Sequence, residues 1–347
     1  MPSASPDLDL HHPVSSPPAP GQLIEIAPGI RWARLPLPFR LNHVNIYLID
    51  DGDGVAIVDT GIDDAECRDG WETLLAGPLA GRPITRLIVT HCHPDHVGLA
   101  HWLAEREGLT LETTETEYLT SLAILLDPGA LEAEPYRGFY LGRGLDEEVT
   151  EAVLSGGHKY LRMVSGLPKT FRRVIAGERL RIGGRDFDVI TGGGHSPEQI
   201  MLHCATERVF LSADQVLPRI SPNIGVYARD PEGDPLGIFL RSLRALKETV
   251  PDDVLVLPGH DLPFVGLHRR VDGLIRHHEE RCGAIIGACR QDPHSPAELI
   301  PVIFHRALDP HQTGFAFGET LAHVNYLLRR GRLRQLPPKD GVARLVA

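Results

Sequence analysis

Cysteine is scarce in this chain and follows no pairing pattern. Cys67, Cys92, Cys204, Cys282 and Cys289 are five in 347 residues, odd in number, with no Cys-x-x-Cys among them. No disulfide framework is expected. Cys282 and Cys289, seven apart, are expected to share one helix face as small buried groups. Long apolar runs are also missing, so no segment is expected to cross a bilayer. The stretch from Met1 to Pro20 has neither a basic start nor an apolar core and is rich in Pro, Ser and Asp. It reads as a disordered arm rather than a secretory signal, which makes the cytoplasm the expected compartment. Positive charge is in deficit: 35 Lys and Arg face 46 Asp and Glu, a formal net charge of −11. Such a surface repels phosphate and argues against nucleic acid or anionic membrane as a partner.

What the chain does have is histidine, concentrated at one place. Thr90-His91-Cys92-His93-Pro94-Asp95-His96 puts three imidazoles and a carboxylate into six positions. The β-branched run Leu87-Ile88-Val89 before it reads as a buried strand, and Gly98 to Ala104 after it reads as a helix. The cluster therefore falls on a strand-to-helix loop at the carboxyl end of a strand, where α/β folds place their chemistry. His91 and His93 alternate and point to one side of an extended segment, whereas Asp95 and His96 follow the turn and point elsewhere. One loop thus offers ligands to two neighbouring points, which suggests two metal ions. Cys92, between two ligand candidates, should point away from them.

This HxHxDH pattern after a strand resembles the metallo-β-lactamase superfamily, and the resemblance covers roughly residues 20 to 265. It implies an α/β fold, an αββα sandwich, and further ligands delivered by later strands. The chain supplies candidates in order: His195 after Phe187–Ile190, Asp214 after Val209–Ala213, and His260 after Val254–Leu257. Each is a ligand-type residue at the end of an apolar run. The resemblance assigns His91, His93 and His195 to a first metal and Asp95, His96 and His260 to a second, with Asp214 bridging them. It gives Asp59, in Asp59-Thr60-Gly61, a supporting role behind the metal loop, in keeping with the habit of metal-bound histidines to donate their other N–H to a carboxylate.

The chain divides by pattern into a disordered arm (1–20), a catalytic unit (21–265) and a mainly helical C-terminal unit (266–347). Within the catalytic unit, residues 115–172 break the strand pattern. Glu115–Leu126 and Asp146–Val164 read as helices, and the resemblance makes this insertion a lid. Tyr136, Phe139 and Tyr140 in it are candidates for lining a substrate pocket, or else for packing the lid onto the core. Pro235–Thr249 reads as a helix stopped by Pro251. In the tail, 268–290, 296–304 (opened by Ser295 as N-cap) and 318–330 read as helices, followed by a turn and short strand. This resembles the winged-helix-like tail of some superfamily hydrolases. It is expected to pack beside the active site or in a homodimer contact. Of the other histidines, His11 and His12 fall in the arm. His268, His277, His278, His294, His305 and His311 are expected at the surface, and His101, His158, His203 and His323 in core or rim positions. His43 is expected not to touch substrate.

Imidazole and carboxylate ligands without thiolate suit zinc, with iron and manganese as alternatives. A water between two divalent cations ionises near neutral pH, and the expected chemistry is hydrolysis of a small-molecule substrate, with Asp95 also orienting the nucleophile or relaying a proton. Within the family resemblance, an aspartate at 214 disfavours true β-lactamase activity. Leu217, where lactonases carry tyrosine, weakens a lactonase reading. A carboxylic thioester or ester, such as an acyl-CoA, is the favoured substrate. The alternatives are a phosphodiesterase or endoribonuclease, a lactonase, and a non-catalytic metal-binding protein.

Overall fold

A computed structural model describes residues 10–127, 129, 134–156 and 159–347. Among these residues the first sheet has seven strands in sequential order: β1 (Ile24–Ala27), β2 (Ile30–Pro36), β3 (His43–Asp51), β4 (Gly54–Val58), β5 (Ile84–Ile88), β6 (Leu111–Thr113) and β7 (Phe171–Arg173). β1 to β4 form an antiparallel meander, and β4 to β7 run parallel. α1 (Ala65–Ala76), α2 (Pro94–Val97) and α3 (Ala100–Glu107) fill the crossovers. The Asp64 carboxylate caps α1 by accepting from the Cys67 N–H.

The second sheet runs in the order β12 (Leu255–Pro258), β11 (Val209–Ala213), β10 (Gln199–Cys204), β9 (Arg185–Gly192), β8 (Arg179–Ile182). Between the two sheets lie Trp32, Tyr47, Ile49, Val58, Ile88, Phe187, Val189, Ile200, Leu211 and Leu257. β4 and β10 are buried along their whole length, as strands covered on both faces must be. α1 and α3 cover the outer face of the first sheet. α8 (Pro235–Thr249), capped by Asp234 with Pro235 in its first turn, covers the second. The result is the expected αββα sandwich. Its two sheets open at one edge, where β4, β5, β9, β11 and β12 all end.

The insertion forms α4 (Glu115–Leu126), α5 (Glu134–Leu141), α6 (Glu147–Gly156) and α7 (Lys159–Met163). The single helix expected over 146–164 is thus divided between α6 and α7. His158 falls between them and lies outside the described residues, as do the first nine residues and the His311 side chain. The tail contributes α9 (Leu267–Gln291), a short 3₁₀ turn (Ala297–Leu299), α10 (Ile300–Ile303), α11 (Pro310–Arg329) and a hairpin of β13 (Arg334–Lys339) and β14 (Val342–Val346). Ser295 does open its segment: it and Glu298 exchange hydrogen bonds between side chain and backbone.

Two sets of contacts tie the outer segments to the sandwich. The arm is tied down from Leu10 onward rather than free to residue 20. His11 bridges Val265, and His12 Nδ1 lies 2.9 Å from the Pro263 carbonyl oxygen. The tail does not keep a core of its own. One apolar cluster runs from Phe239 and Leu243 on α8 through Leu274 and Ile285 on α9 to Phe317 and Leu321 on α11, and takes in Phe139 and Tyr140 of α5. Sequence periodicity reports which face of a helix is apolar, not which partner covers it.

Candidate metal centre

β5 ends at Ile88, and the chain then turns through His91–His96 into α2. His91 Nε2 lies 3.0 Å from His93 Nδ1, which lies 3.0 Å from His195 Nε2. Beside this triad, His260 Nε2 is 3.3 Å from Asp95 Oδ2, and His96 Nε2 is 3.7 Å from the same oxygen. Asp214 stands between them. Its Oδ1 is 3.6 Å from His96 Nε2, and its Oδ2 is 3.4 Å from His195 Nε2 and 3.3 Å from His260 Nε2. All seven sequence candidates thus converge, in overlapping groups whose ligand atoms lie within 4.8 Å of one another.

The nitrogens that face away from this centre are held. His96 Nδ1 is 2.9 Å from Asp59 Oδ2, His195 Nδ1 is 2.9 Å from the Asn223 carbonyl oxygen, and His260 Nδ1 is 2.7 Å from the His43 carbonyl oxygen. His91 Nδ1 is 3.0 Å from Thr90 Oγ1. In each case an oxygen partner behind the ring turns the other nitrogen inward, as metal-binding histidines require. Asp59 also accepts from the Thr90 N–H and hydroxyl at 2.8 and 2.9 Å, which pins the start of the metal loop. His43 serves as a brace: besides its carbonyl, its Nε2 accepts from the Asp261 N–H.

Backbone strain gathers at the same edge. Asp59, Ala213 and Asp261 are non-glycine residues with φ of 67°, 46° and 66°. One is the brace, one precedes Asp214 and one follows His260. Such conformations cost about 1–3 kcal/mol each and persist where surrounding structure imposes them. Two glycines have steric reasons to be there. A side chain at Gly259 would strike Asp214 Oδ1, and one at Gly194, φ +106°, would strike Phe239 and the Pro235 carbonyl.

The donor chemistry fits divalent cations. Two buried atoms, His96 Nε2 and Asp214 Oδ1, have no hydrogen-bond partner among the described residues, and both point into the cluster. An orphaned imidazole nitrogen and carboxylate oxygen side by side are costly unless a cation satisfies them. Charge is unevenly divided. Burial, reinforced by the neighbouring His195, holds His93 down to about 3. Burial and the surrounding imidazoles hold His91 well below its ordinary value. For His260, burial opposes charge, but Asp214 and Asp95 reverse it and push the ring up to about 10. One triad is all imidazole, and the other includes the Asp95 carboxylate.

The pocket candidates fare differently. Phe139 and Tyr140 are buried in the apolar cluster, with ring centroids 6.2 and 5.6 Å from that of Phe317. They join the insertion to the tail rather than line an open cleft; Tyr136, half-buried, lies one turn away on α5. Residues not singled out in the sequence take parts here. Asn223 holds His195, and its side-chain amide donates to the Tyr227 hydroxyl at 2.8 Å, with the Tyr227 ring 48% exposed. Glu117 and Tyr160 of the insertion both reach the backbone of Cys92. Asn, Tyr and Glu in loops and helices are too common to stand out without their partners.

Comparison with known proteins agrees with this geometry. The Metallo-beta-lactamase superfamily profile matches residues 40–260, and that of the Metallo-beta-lactamase-like, C-terminal domain matches residues 282–347. The crystal structure of a beta-lactamase domain protein from Burkholderia ambifaria is 39% identical, covers 97% of each chain and superposes with a TM-score of 0.88. A metallo-beta-lactamase family protein from Thermus thermophilus is 29% identical over 93% of this chain and 99% of its own, with a TM-score of 0.78. Among curated proteins, the probable metallo-hydrolase YqjP of Bacillus subtilis (strain 168) is 23% identical over 305 residues, 85% of this chain and 90% of that protein.

Proposed function

Because the chain belongs to the metallo-beta-lactamase superfamily, we propose that it is a hydrolase that uses two divalent cations, zinc by preference, on a carboxylic thioester or ester. The observation that carries this reading is the pair of ligand groups joined by Asp214. His91, His93 and His195 would hold one cation, Asp95, His96 and His260 the other, and Asp214 would reach both. Cations bound there supply Lewis acidity and lower the pKa of a coordinated water toward neutrality. The chain's own residues do the rest. Asp59, Thr90, Asn223 and the His43 carbonyl keep the four ring nitrogens turned inward. Asp95 turns Oδ2 toward His96 and His260 and leaves 21% of its side chain in contact with solvent. That position suits a carboxylate that orients the attacking water and passes its proton outward.

Two features support a carboxylic substrate. The Tyr227 hydroxyl accepts from Asn223 and so keeps its own proton free to donate to a carbonyl oxygen as it gains charge. The exposed Tyr227 ring offers an apolar surface to an acyl group. The acidic net charge of −11 favours a small substrate over a polyphosphate chain. The test is turnover of a panel by the zinc-loaded protein: acyl-CoA thioesters, aryl esters, lactones, a phosphodiester and single-stranded RNA. The expected result is a kcat/KM for thioesters or esters at least tenfold above that for the phosphodiester. Cleavage of RNA alone would move the protein to the nuclease reading. Full metal occupancy with no turnover of any member would favour a binding role.

A further inference from the structure

Glu117 lies in the first turn of α4, three residues after the helix-capping Thr114. The spacing T-x-x-E reads as a capping box, in which the glutamate folds back to the cap residue's own N–H. The structure sends the carboxylate elsewhere. Its Oε2 accepts from the Cys92 N–H at 2.9 Å, and its Oε1 accepts from the Ser196 hydroxyl at 2.8 Å and the Glu198 N–H at 2.6 Å. The side chain is 1% exposed. A buried carboxylate is retained only where donors satisfy it, and here three do, through the stronger class of charge-assisted bond.

The partners belong to two separate loops. Cys92 sits between the ligands His91 and His93, and Ser196 follows the ligand His195. The same end of α4 adds two further ties to the second loop: the Thr114 hydroxyl donates to the Glu198 carbonyl at 3.0 Å, and the Thr116 hydroxyl donates to the Glu198 carboxylate at 2.5 Å. From α7, the Tyr160 hydroxyl donates to the Cys92 carbonyl at 2.9 Å. Both peptide units of Cys92 are therefore held by the insertion. The other group of ligands is braced from elsewhere: His96 by Asp59, and His260 by the His43 carbonyl.

We propose that Glu117 is a positioning residue that locks the His91–His93 loop to the His195 loop, so that the helical insertion sets the affinity of the all-histidine cation position and leaves the position that includes Asp95 untouched. This rests on the two-cation reading above. The insertion then acts as a clamp on the metal loops. The physical argument is one of distance. His93 Nδ1 and His195 Nε2 stand 3.0 Å apart although they come from different sheets. Glu117 is the side chain that bonds both of their loops at once.

The experiment compares wild type with Glu117→Gln, Glu117→Ala and Tyr160→Phe. Metal per chain is measured by mass spectrometry, cation affinity by chelator competition, and ligand geometry from the visible spectrum of the cobalt(II)-substituted protein. His195→Ala and His260→Ala assign the two cobalt bands. In Glu117→Gln, which keeps the side-chain volume, the all-histidine position is expected to lose about 10–100-fold in affinity, as loss of an outer hydrogen-bond partner does. The other position should stay within about threefold, and Tyr160→Phe should shift the same position by less. Equal weakening of both positions, or no change in either, overturns the proposal, because a general loss of stability has no reason to select one position. Should Glu117→Ala fail to fold, the Gln variant still decides the matter. A wild-type protein that holds one cation would overturn the two-cation reading and this inference with it. A wild type that holds two, alongside an unselective Gln variant, would overturn this inference alone.

Discussion

Two buried histidine clusters among the described residues behave in opposite ways. In the candidate metal centre, rings from β-strand ends turn their inner nitrogens toward one another and toward Asp95 and Asp214, with oxygens bonded behind them. In the tail, His278 Nδ1 meets His323 Nε2 at 3.1 Å, His278 Nε2 meets the Ser221 hydroxyl at 3.1 Å, and His323 Nδ1 donates to the Glu319 carbonyl at 2.8 Å. Every nitrogen of that pair is used in a chain of hydrogen bonds. The charges nearby include the Arg281–Glu319 ion pair and the Arg270 guanidinium. Nitrogen-to-nitrogen distances near 3 Å occur in both clusters, so proximity of imidazoles does not make a metal site. What makes one is inward-facing imidazole nitrogens left without hydrogen-bond partners of their own, beside carboxylates that lower the cost of adding positive charge.

Asp214→Ala should break this contrast most severely. It removes the carboxylate common to both ligand groups, so hydrolysis should fall to the metal-free background and zinc content should drop below that of wild type, as measured by mass spectrometry. In the tail, His278→Ala should leave zinc content intact and cost about 1–3 kcal/mol of stability, because Ser221 and His323 lose a buried partner; denaturant unfolding measures it. A tail variant that lost zinc as fully as Asp214→Ala would erase the distinction. Asp59→Asn should sharpen it. The amide is a weaker acceptor for His96 Nδ1, and cation affinity should fall about 10–100-fold at the position that includes His96, with the fold intact.

The last contrast is a pH slope. Burial, aided by Arg281 and Arg270, holds His277 down to about 3, and its Nε2 finds no hydrogen-bond partner among the described residues. Above the unfolded value near 6.5 the ring is neutral in both states and stability is unaffected. Below it the unfolded chain binds the proton first, so stability falls with decreasing pH until the folded value is reached. His277→Leu should remove up to about 1.4 kcal/mol per pH unit of that loss between pH 6 and 4. It should add a smaller gain at neutral pH from the nitrogen no longer buried unpaired. Unfolding curves at several pH values give both numbers; a variant with the wild-type slope would show that the ring is already hydrated in the fold.

The two clusters also differ in how far the sequence foretold them. The candidate ligands were legible because they are ligand-type residues gathered in one motif or placed just after apolar strands, and strand ends are marked by local composition. Two of the histidines expected at the surface of the tail were misread, whereas His305 is exposed as expected. His277 and His278 are 6% and 0% exposed, because α9 is packed on two sides, by α8 and by α11. A long helix rich in charges reads as solvated unless its second partner is known. For Phe139 and Tyr140 the sequence left pocket lining and core packing both open, and it is Phe317, far along the chain, that is seen against them.

From the residue order, through the family resemblance that its HxHxDH motif carries, came the sandwich, the sequence position of each candidate ligand and the likeness of the site to a two-cation hydrolytic centre, since the motif and the apolar runs beside it are local features of the chain. Tertiary structure decided which nitrogen of each histidine faces inward, which histidines are merely buried, and that a glutamate in a helix-capping pattern instead joins two loops. Those outcomes depend on partners 25 to 81 residues away for Glu117 and 217 away for His260. No local preference specifies a contact at that range; it is set when the two sheets close and the strand ends meet.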